Sequence, residues 1–140
     1  ESRGLAAAME QYLAGMREGD KRTRYHLVLR DDVQNHHLAL SASRMIFAVL
    51  QEAVNNARKH AQADNIWVTL QHAEGTGQRI LEAAVRDDGV GFDLEQAEAA
   101  YDERYSFGLA NMKERAQLID ANLHLKSDGG GTTVCLAVPL

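Results

Sequence analysis

The sequence predicts an α+β fold, a two-layer sandwich in which helices cover one face of a mostly antiparallel sheet. Segments whose apolar residues follow a helical period are interspersed with segments that alternate apolar and polar residues, as strands do. Two pairs of the strand-like segments are joined by short glycine-rich turns, which are typical of antiparallel hairpins. The 140 residues suit one domain, and 45% hydrophobic with 25% charged residues is a globular composition.

The first part of the chain is predicted to form two helices with a strand between them. Residues 5–16 are rich in Ala, Leu and Met, and Gly19 follows them as a stop signal. Residues 25–29 alternate as a short strand. A longer helix is predicted from a cap at Ser41 or Ser43 to about residue 61. Its apolar face comprises Ile46, Leu50, Ala53, Val54 and Ala57.

The rest of the chain is predicted to contain two hairpins with a loop and a helix between them. The first strand should place Ile66, Val68 and Leu70 on one side of the sheet, and Trp67 and Thr69 on the other. In chain order we expect a strand over 65–72, a hairpin loop over 75–77, a strand over 78–87, a helix over 109–119, and strands over 121–127 and 132–138.

Charge and composition exclude several classes of protein. The formal net charge is −5, which argues against a general nucleic-acid binder. All of that excess lies between Arg86 and Arg104, where seven acidic residues accompany two arginines. This stretch predicts an acidic loop with one helical turn near residues 94–100. One cysteine excludes an internal disulfide, and no apolar run reaches the about 20 residues of a membrane span.

The polar face of the long helix carries the first candidate site. Glu52, Asn56, Lys59 and His60 are spaced by three or four residues and therefore share one side of the helix. A carboxylate and an amide oxygen one turn apart suit Mg²⁺, and an ammonium group one turn further suits a phosphate. The same spacing is also typical of an ordinary solvated helix face. This face borders the apolar one, which favours a cleft at the helix edge.

A glycine turn follows the strand over 78–87. By alternation from Leu81, Ala83 and Val85, Asp87 is predicted to point inward, and a buried carboxylate requires a hydrogen-bond donor. The exocyclic amine of adenine could supply one. Gly89 and Gly91, on either side of Val90, would let the backbone approach a flat ligand closely. The alternative is an Asp that only caps a tight turn.

Two further glycine segments suggest contacts with an anion. Ser106, Phe107 and Gly108 lead into the helix predicted to start at Leu109, so its free N–H groups would form an anion site at Gly108. The glycines at 129–131 predict a hairpin turn, and Thr132 after them could offer a hydroxyl to a phosphate. An ordinary helix cap and an ordinary hairpin would look the same.

Taken in this order, the segments resemble the ATP-binding domain of sensor histidine kinases, a branch of the Bergerat-fold ATPases that also includes gyrase. Residues 52–61 are similar to the N box of that family, residues 87–91 to its first glycine box, residues 108–116 to its second, and residues 129–132 to its closing glycine-threonine turn. The resemblance covers residues 5–140. The Lys-His pair after the N-box Asn, the Met-Lys-Glu-Arg-Ala helix and the short lid resemble the nitrate-sensor and degradation-sensor subfamily.

The resemblance implies roles for individual residues. Asn56 would bind Mg²⁺, and Glu52 would touch the metal through water or polarise the reacting group. Lys59 would contact phosphate beside them, which makes these three residues the catalytic candidates. The acidic stretch over about 93–106 would be the ATP lid. The other positions implied to contact ATP are His60, Asp87, Gly89, Val90, Gly91, Ser106, Phe107, Gly108, Leu109 and Thr132.

The function implied is the catalytic domain of a two-component sensor histidine kinase. It would bind ATP, ADP and Mg²⁺, and would pass the γ-phosphate to a His on a separate dimerisation domain, for relay to a response regulator with a helix-turn-helix output domain. Residues 1–4 would end a linker from that domain, since no phospho-acceptor helix lies in the chain. We expect a cytoplasmic domain without membrane contact, in a parent whose own anchoring the sequence leaves open. The alternatives are an anti-sigma-type serine kinase of the same fold and a nucleotide-binding module without catalysis.

Overall fold

The computed structural model describes residues 2–30, 39–60, 62–75, 77–90, 103–128 and 130–140. These residues form three helices and a five-stranded sheet. In chain order the elements are α1 (Ser2–Gly19), β1 (Arg24–Leu29), α2 (Leu40–His60), β2 (Asn65–Gly75), β3 (Gln78–Asp87), α3 (Glu103–Leu118), β4 (Asn122–Asp128) and β5 (Gly131–Pro139). None of the described helices is both long and apolar enough to cross a membrane.

The sheet has the strand order β1-β2-β3-β5-β4. β1 and β2 are parallel, whereas the other three neighbouring pairs are antiparallel. The register aligns Ile66 with Asp87, and Val85 with Val134, so side chains of one parity share a face across the central strands. This mostly antiparallel sheet with its covering helices confirms the predicted α+β class.

The hydrophobic core lies between the helices and one face of the sheet, which we call the inner face. Ile66, Val68 and Leu70 are fully buried there, while Trp67 and Thr69 on the opposite, outer face are only half-buried, as the alternation predicted. The helices contribute the largest apolar side chains to this layer, because each turns one apolar stripe towards the sheet. Their fully buried members are Met9, Leu13, Ile46, Val49, Leu50, Val54 and Met112.

The predicted serine cap of α2 is wrong. The helix begins at Leu40, and the amide of Ser43 already donates to the Ala39 carbonyl over 3.0 Å, as within a helix. Ser41 therefore lies in the first turn. The hydroxyl of Ser43 is buried and has no hydrogen-bond partner among the described residues.

The predicted start of the third helix is also wrong. α3 begins at Glu103 and not at Leu109, so Gly108 lies inside the helix. The backbone over 103–106, assigned to the lid by the sequence, is helical here. The remainder of the predicted lid, including the helical turn expected near 94–100, lies outside the described residues.

Candidate functional site

The polar face of α2 meets α3 through a glycine. Glu52 and Asn56 are both half-buried, one helical turn apart, and Lys59 beyond them is exposed. A side-chain carbon built on Gly108 would overlap the Glu52 carboxylate, whose Cδ would be 3.2 Å away, and would lie 3.5 Å from Nδ2 of Asn56. The backbone of α3 therefore rests directly on the two polar groups of α2.

This packing changes the role available to Gly108. Only the first turn of a helix has free N–H groups, and Gly108 lies beyond the first turn of α3. Within α3 the amide of Gly108 is not one of these free groups, and the predicted contact of Gly108 with an anion stays a prediction. What requires the glycine is the close approach of two helices, with Glu52 directly beneath it.

The second group of site residues lies where β3 and β5 meet. Asp87 is 4% exposed and points inward, as the alternation predicted. Its Oδ1 accepts hydrogen bonds from the backbone amides of Gly89 at 2.9 Å and Thr132 at 3.3 Å. Gly131 has a φ of 131°, and a side-chain carbon there would overlap the Asp87 carbonyl. A glycine is thus required for β5 to bring Thr132 to the carboxylate.

The Asp87 carboxylate retains unused acceptor capacity. Both of its hydrogen bonds end on Oδ1, and Oδ2 has no partner among the described residues. Burial raises the pKa of this carboxyl above its ordinary value. The hydrogen bonds from the two backbone amides act against this rise, and the neighbouring charge of Asp88 adds to it. An inward-facing acceptor of this kind can bind an amine donor from a ligand.

Asp88, which the sequence analysis did not single out, holds the turn in place. Its carboxylate accepts from the backbone amides of Asp64 at 3.0 Å and Asn65 at 2.9 Å, and from Nδ2 of Asn65 at 2.9 Å. Burial is the largest single influence on the pKa of Asp88 and raises it, but these donors together outweigh burial and hold the pKa below its ordinary value. The end of β3 is therefore tied to the start of β2. The second Asp of the pair was the available signal in the sequence.

Thr132 is buried beside Asp87, but its hydroxyl is already engaged. The Thr132 and Ser127 hydroxyl oxygens are 2.8 Å apart, across the β4–β5 pair. It is the backbone of Thr132, and not its hydroxyl, that contacts Asp87. The predicted hydroxyl–phosphate contact remains a prediction.

Three of the other predicted site residues, Gly89, Val90 and Leu109, are described in the structure. Gly89 is buried, Val90 is 58% exposed, and the side chain of Leu109 is part of the hydrophobic core. The side chains of His60, Ser106 and Phe107, and the whole of Gly91, lie outside the described residues. The described contacts thus join Glu52 and Asn56 to Gly108, and separately join Asp87 to Gly89 and Thr132.

Comparison with known proteins places this arrangement in a family. Residues 41–140 match the family described as histidine kinase-, DNA gyrase B-, and HSP90-like ATPase. An uncharacterized sensor-like histidine kinase of Chloroflexus aurantiacus is 37% identical over 100% of this chain and 23% of its own length. The signal transduction histidine-protein kinase/phosphatase DegS of Bacillus subtilis is 30% identical over 98% of this chain and 34% of its own length.

Solved structures agree on the fold. The histidine kinase domain of the blue-light activated histidine kinase EL346 from Erythrobacter litoralis superposes with a TM-score of 0.73, at 20% identity, over 97% of this chain and 61% of that one. The chain spans about a quarter to a third of the length of the two curated relatives named above. With its family match and its sheet-and-helix layers, the chain belongs to the histidine kinase-, DNA gyrase B-, and HSP90-like ATPases, as an ATP-binding domain of the sensor histidine kinase type.

Proposed function

We propose that this domain binds ATP with Mg²⁺ and donates the γ-phosphate to a histidine on a separate dimerisation domain, for relay to a response regulator. The observation that carries the proposal is the buried Asp87 carboxylate, with Oδ1 fixed by two backbone amides and Oδ2 left without a partner among the described residues. A rigid acceptor facing the core suits the reading of a flat base with an amine. The sensor histidine kinases among the relatives support the reaction class.

The adenine end of the pocket would be formed at the β3–β5 corner. Asp87 Oδ2 would accept from the exocyclic amine, and burial would strengthen that bond because water does not compete there. The turn carrying Gly89 would lie along the base. Asp88, by fixing this turn to β2, acts as a positioning residue.

The phosphate end would be formed on α2. The half-buried oxygens of Glu52 and Asn56 fit Mg²⁺, which takes oxygen ligands and usually shares them with substrate phosphates and water. Among the described residues no group of three or more His, Cys, Asp or Glu forms a metal cluster. Bound Mg²⁺ would neutralise charge on the transferring phosphoryl group. The exposed Lys59 would add a second positive charge near the phosphates.

The proposed domain would act together with partner domains. Residues 5–140 would form the ATP-binding domain, residues 1–4 would end a linker, and about 93–106 would form the lid that closes over the phosphates. The domain would work in the cytoplasm with a dimerisation domain and a helix-turn-helix response regulator. An anti-sigma-type serine kinase or a module that only binds nucleotide are the competing functions.

Calorimetry with ATP and ADP, with and without Mg²⁺, tests the binding step. Asp87→Asn keeps the shape but can present an amide donor to the adenine amine, so we expect a loss of about 1.5–3 kcal/mol in ATP affinity. Preference for ATP over GTP should also weaken. Asp120→Asn, which makes the same chemical change at an exposed turn, is the matched control and should bind normally. Unchanged ATP binding by Asp87→Asn would reduce Asp87 to a turn cap.

A transfer assay separates the three functions. The domain is mixed with labelled ATP and a separately produced dimerisation domain from its parent protein, and the labelled residue is identified. Label on histidine, lost in Asn56→Asp and Lys59→Ala while adenosine binding persists, is the expected result. Label on serine in place of histidine would favour the anti-sigma type, and binding without transfer would favour the module.

A further inference from the structure

The outer face of the sheet carries a continuous row of polar and aromatic side chains. The register aligns His26 with Trp67, Trp67 with Arg86, Arg86 with Thr133, and Thr133 with Lys126. These five residues, one from each strand, lie side by side across the whole sheet. Arg86 and Lys126 are exposed, and the other three are half-buried. The proposed nucleotide contacts lie on the inner face, so this row is not part of them.

The aromatic end of the row orients Arg86. Its guanidinium carbon lies 4.5 Å from the centre of the Trp67 ring, and His26 from the neighbouring strand stacks on Trp67 at 5.6 Å with an angle of 19°. A guanidinium that stacks on a ring uses its flat face, so its N–H groups along the edge stay available for hydrogen bonds. Trp67 thus holds the cation in place without satisfying its donors.

A small cleft lies at the cationic end of the row. It has a volume of about 260 Å³, and three residues of the row line it, Arg86, Thr133 and Lys126. Asp87 and Asp88 at the end of β3, with Gly130 and Gly131 of the β4–β5 turn, complete the lining. Among the described residues, neither Arg86 nor Lys126 forms an ion pair. Their donors are therefore not paired with a carboxylate among the described side chains.

The carboxylates of the two acidic lining residues accept hydrogen bonds from other parts of the protein. Asp87 turns its carboxylate to the inner face, where Gly89 and Thr132 donate to it. The carboxylate of Asp88 is held by the start of β2 through Asp64 and Asn65. The lining thus contains two basic and two acidic residues, but the two carboxylates accept hydrogen bonds from other groups, whereas the donors of Arg86 and Lys126 remain available to a ligand.

We propose that this cleft is a second ligand site, which binds a phosphate-type dianion through Arg86, Thr133 and Lys126. A guanidinium edge, a hydroxyl and an ammonium group converge from three adjacent strands. Together they offer more donors than the two oxygens of a carboxylate use, and they match the several oxygens and double charge of a phosphate. The ligand is either free phosphate or a small phosphate monoester, and it binds independently of the nucleotide.

NMR titration of the intact domain tests this site. Inorganic phosphate and glycerol phosphate are added separately at constant ionic strength, and the Trp67 indole, the Arg86 Nε–H and the Thr133 amide are followed. Saturable shifts confined to these groups, with a dissociation constant of about 1–10 mM, are expected. Tighter binding of glycerol phosphate would identify a monoester as the ligand, and equal or weaker binding would identify free phosphate.

Variants show whether the named side chains carry the binding. Arg86→Gln with Lys126→Gln should weaken phosphate binding at least about tenfold. The control pair Arg79→Gln with Lys21→Gln, two exposed cations outside the row, removes the same charge and should bind as before. Lys126→Gln alone should weaken binding several-fold and preserves the Arg86–Trp67 stack, so it gives a result even if the double variant folds poorly.

Three results would overturn the proposal: no saturable shift with either phosphate, equal weakening in the control pair, or acetate binding as tightly as phosphate. None of these bears on the nucleotide site. ATP binding by the Arg86 and Lys126 variants, measured by calorimetry, should match that of the unmodified domain.

Discussion

The two halves of the proposed nucleotide site are built in different ways. At the adenine half, Asp87 is fixed by strand register and by two backbone amides, and Asp88 ties the same turn to β2. At the phosphate half, Glu52 and Asn56 lie on one helix and are packed against another at Gly108. Sheet hydrogen bonds define the first half, whereas helix packing defines the second.

This difference predicts which half of the site changes conformation when nucleotide binds. A ladder of backbone hydrogen bonds allows few alternative positions, because a shift of one residue reverses every side chain. Two helices packed through a glycine can slide or tilt at lower cost, since side chains at the contact can change rotamer. We therefore expect the adenine half to be preorganised, and the phosphate half to adjust as nucleotide binds.

The largest effect on stability is expected from Gly131→Ala. A methyl group there would overlap the Asp87 carbonyl, which is backbone and cannot move aside, and φ is +131°. We expect a loss of about 3 kcal/mol in the free energy of unfolding, measured by urea titration. Gly77→Ala is the matched control, because φ is +78° but nothing lies within 4 Å of the new carbon. It should cost about 1 kcal/mol. Equal losses would mean that the close approach to Asp87 does not matter.

A smaller loss is expected when the tie between β3 and β2 is removed. Asp88→Ala deletes the acceptor for three hydrogen bonds, but the site is exposed and water can replace part of them. The cost should be about 1 kcal/mol, with weaker ADP binding because the turn that follows Asp87 loosens. Asp64→Ala changes a neighbouring exposed carboxylate and should leave stability and ADP affinity nearly unchanged. ADP affinity unaffected by Asp88→Ala would show that the turn needs no such support.

The inward orientation of Asp87 was predictable from sequence, whereas the contact between Gly108 and Glu52 was not. Alternation through Leu81, Ala83 and Val85 correctly predicted that Asp87 points inward, because the strand period is local. The start of α3 was misplaced because Gly108 looked like a helix boundary, whereas it is a contact with Glu52, about fifty residues earlier in the chain. Such a contact leaves no mark on local spacing. The row from Arg86 to Lys126 was missed for the same reason, since it depends on which strands pair.

Gly108→Ala should separate stability from activity. Alanine is a better helix former than glycine by about 1 kcal/mol, and the displaced group is the movable end of Glu52, so the two effects should nearly cancel in the free energy of unfolding. Phosphotransfer should nevertheless fall at least about tenfold, because Glu52 is pushed from its place beside Asn56. Gly15→Ala, inside α1 with nothing within 4 Å, is the control and should stabilise the domain. Normal transfer by Gly108→Ala would show that the packing of α3 on Glu52 is irrelevant to catalysis.

The smallest effect should appear in the pH dependence of stability, where the adjacent aspartates act in opposite directions. The ordinary pKa of an aspartate is 3.8; burial raises that of Asp87, whereas at Asp88 hydrogen bonds together outweigh burial and lower the pKa. The contribution of Asp87 to the free energy of unfolding is full below its ordinary pKa and is lost as pH rises through its folded pKa. The contribution of Asp88 is full above its ordinary pKa and is lost as pH falls through its folded pKa. In Asp87→Asn the amide oxygen can still accept from Gly89 and Thr132, so this variant should gain stability relative to the unmodified domain as pH rises. Asp88→Asn should lose stability over the same change. Urea titrations from about pH 2 to about pH 7 cover both changes, because the one linked to Asp88 lies below its ordinary pKa, and a shift in the same direction for the two variants would contradict the opposite roles assigned to them.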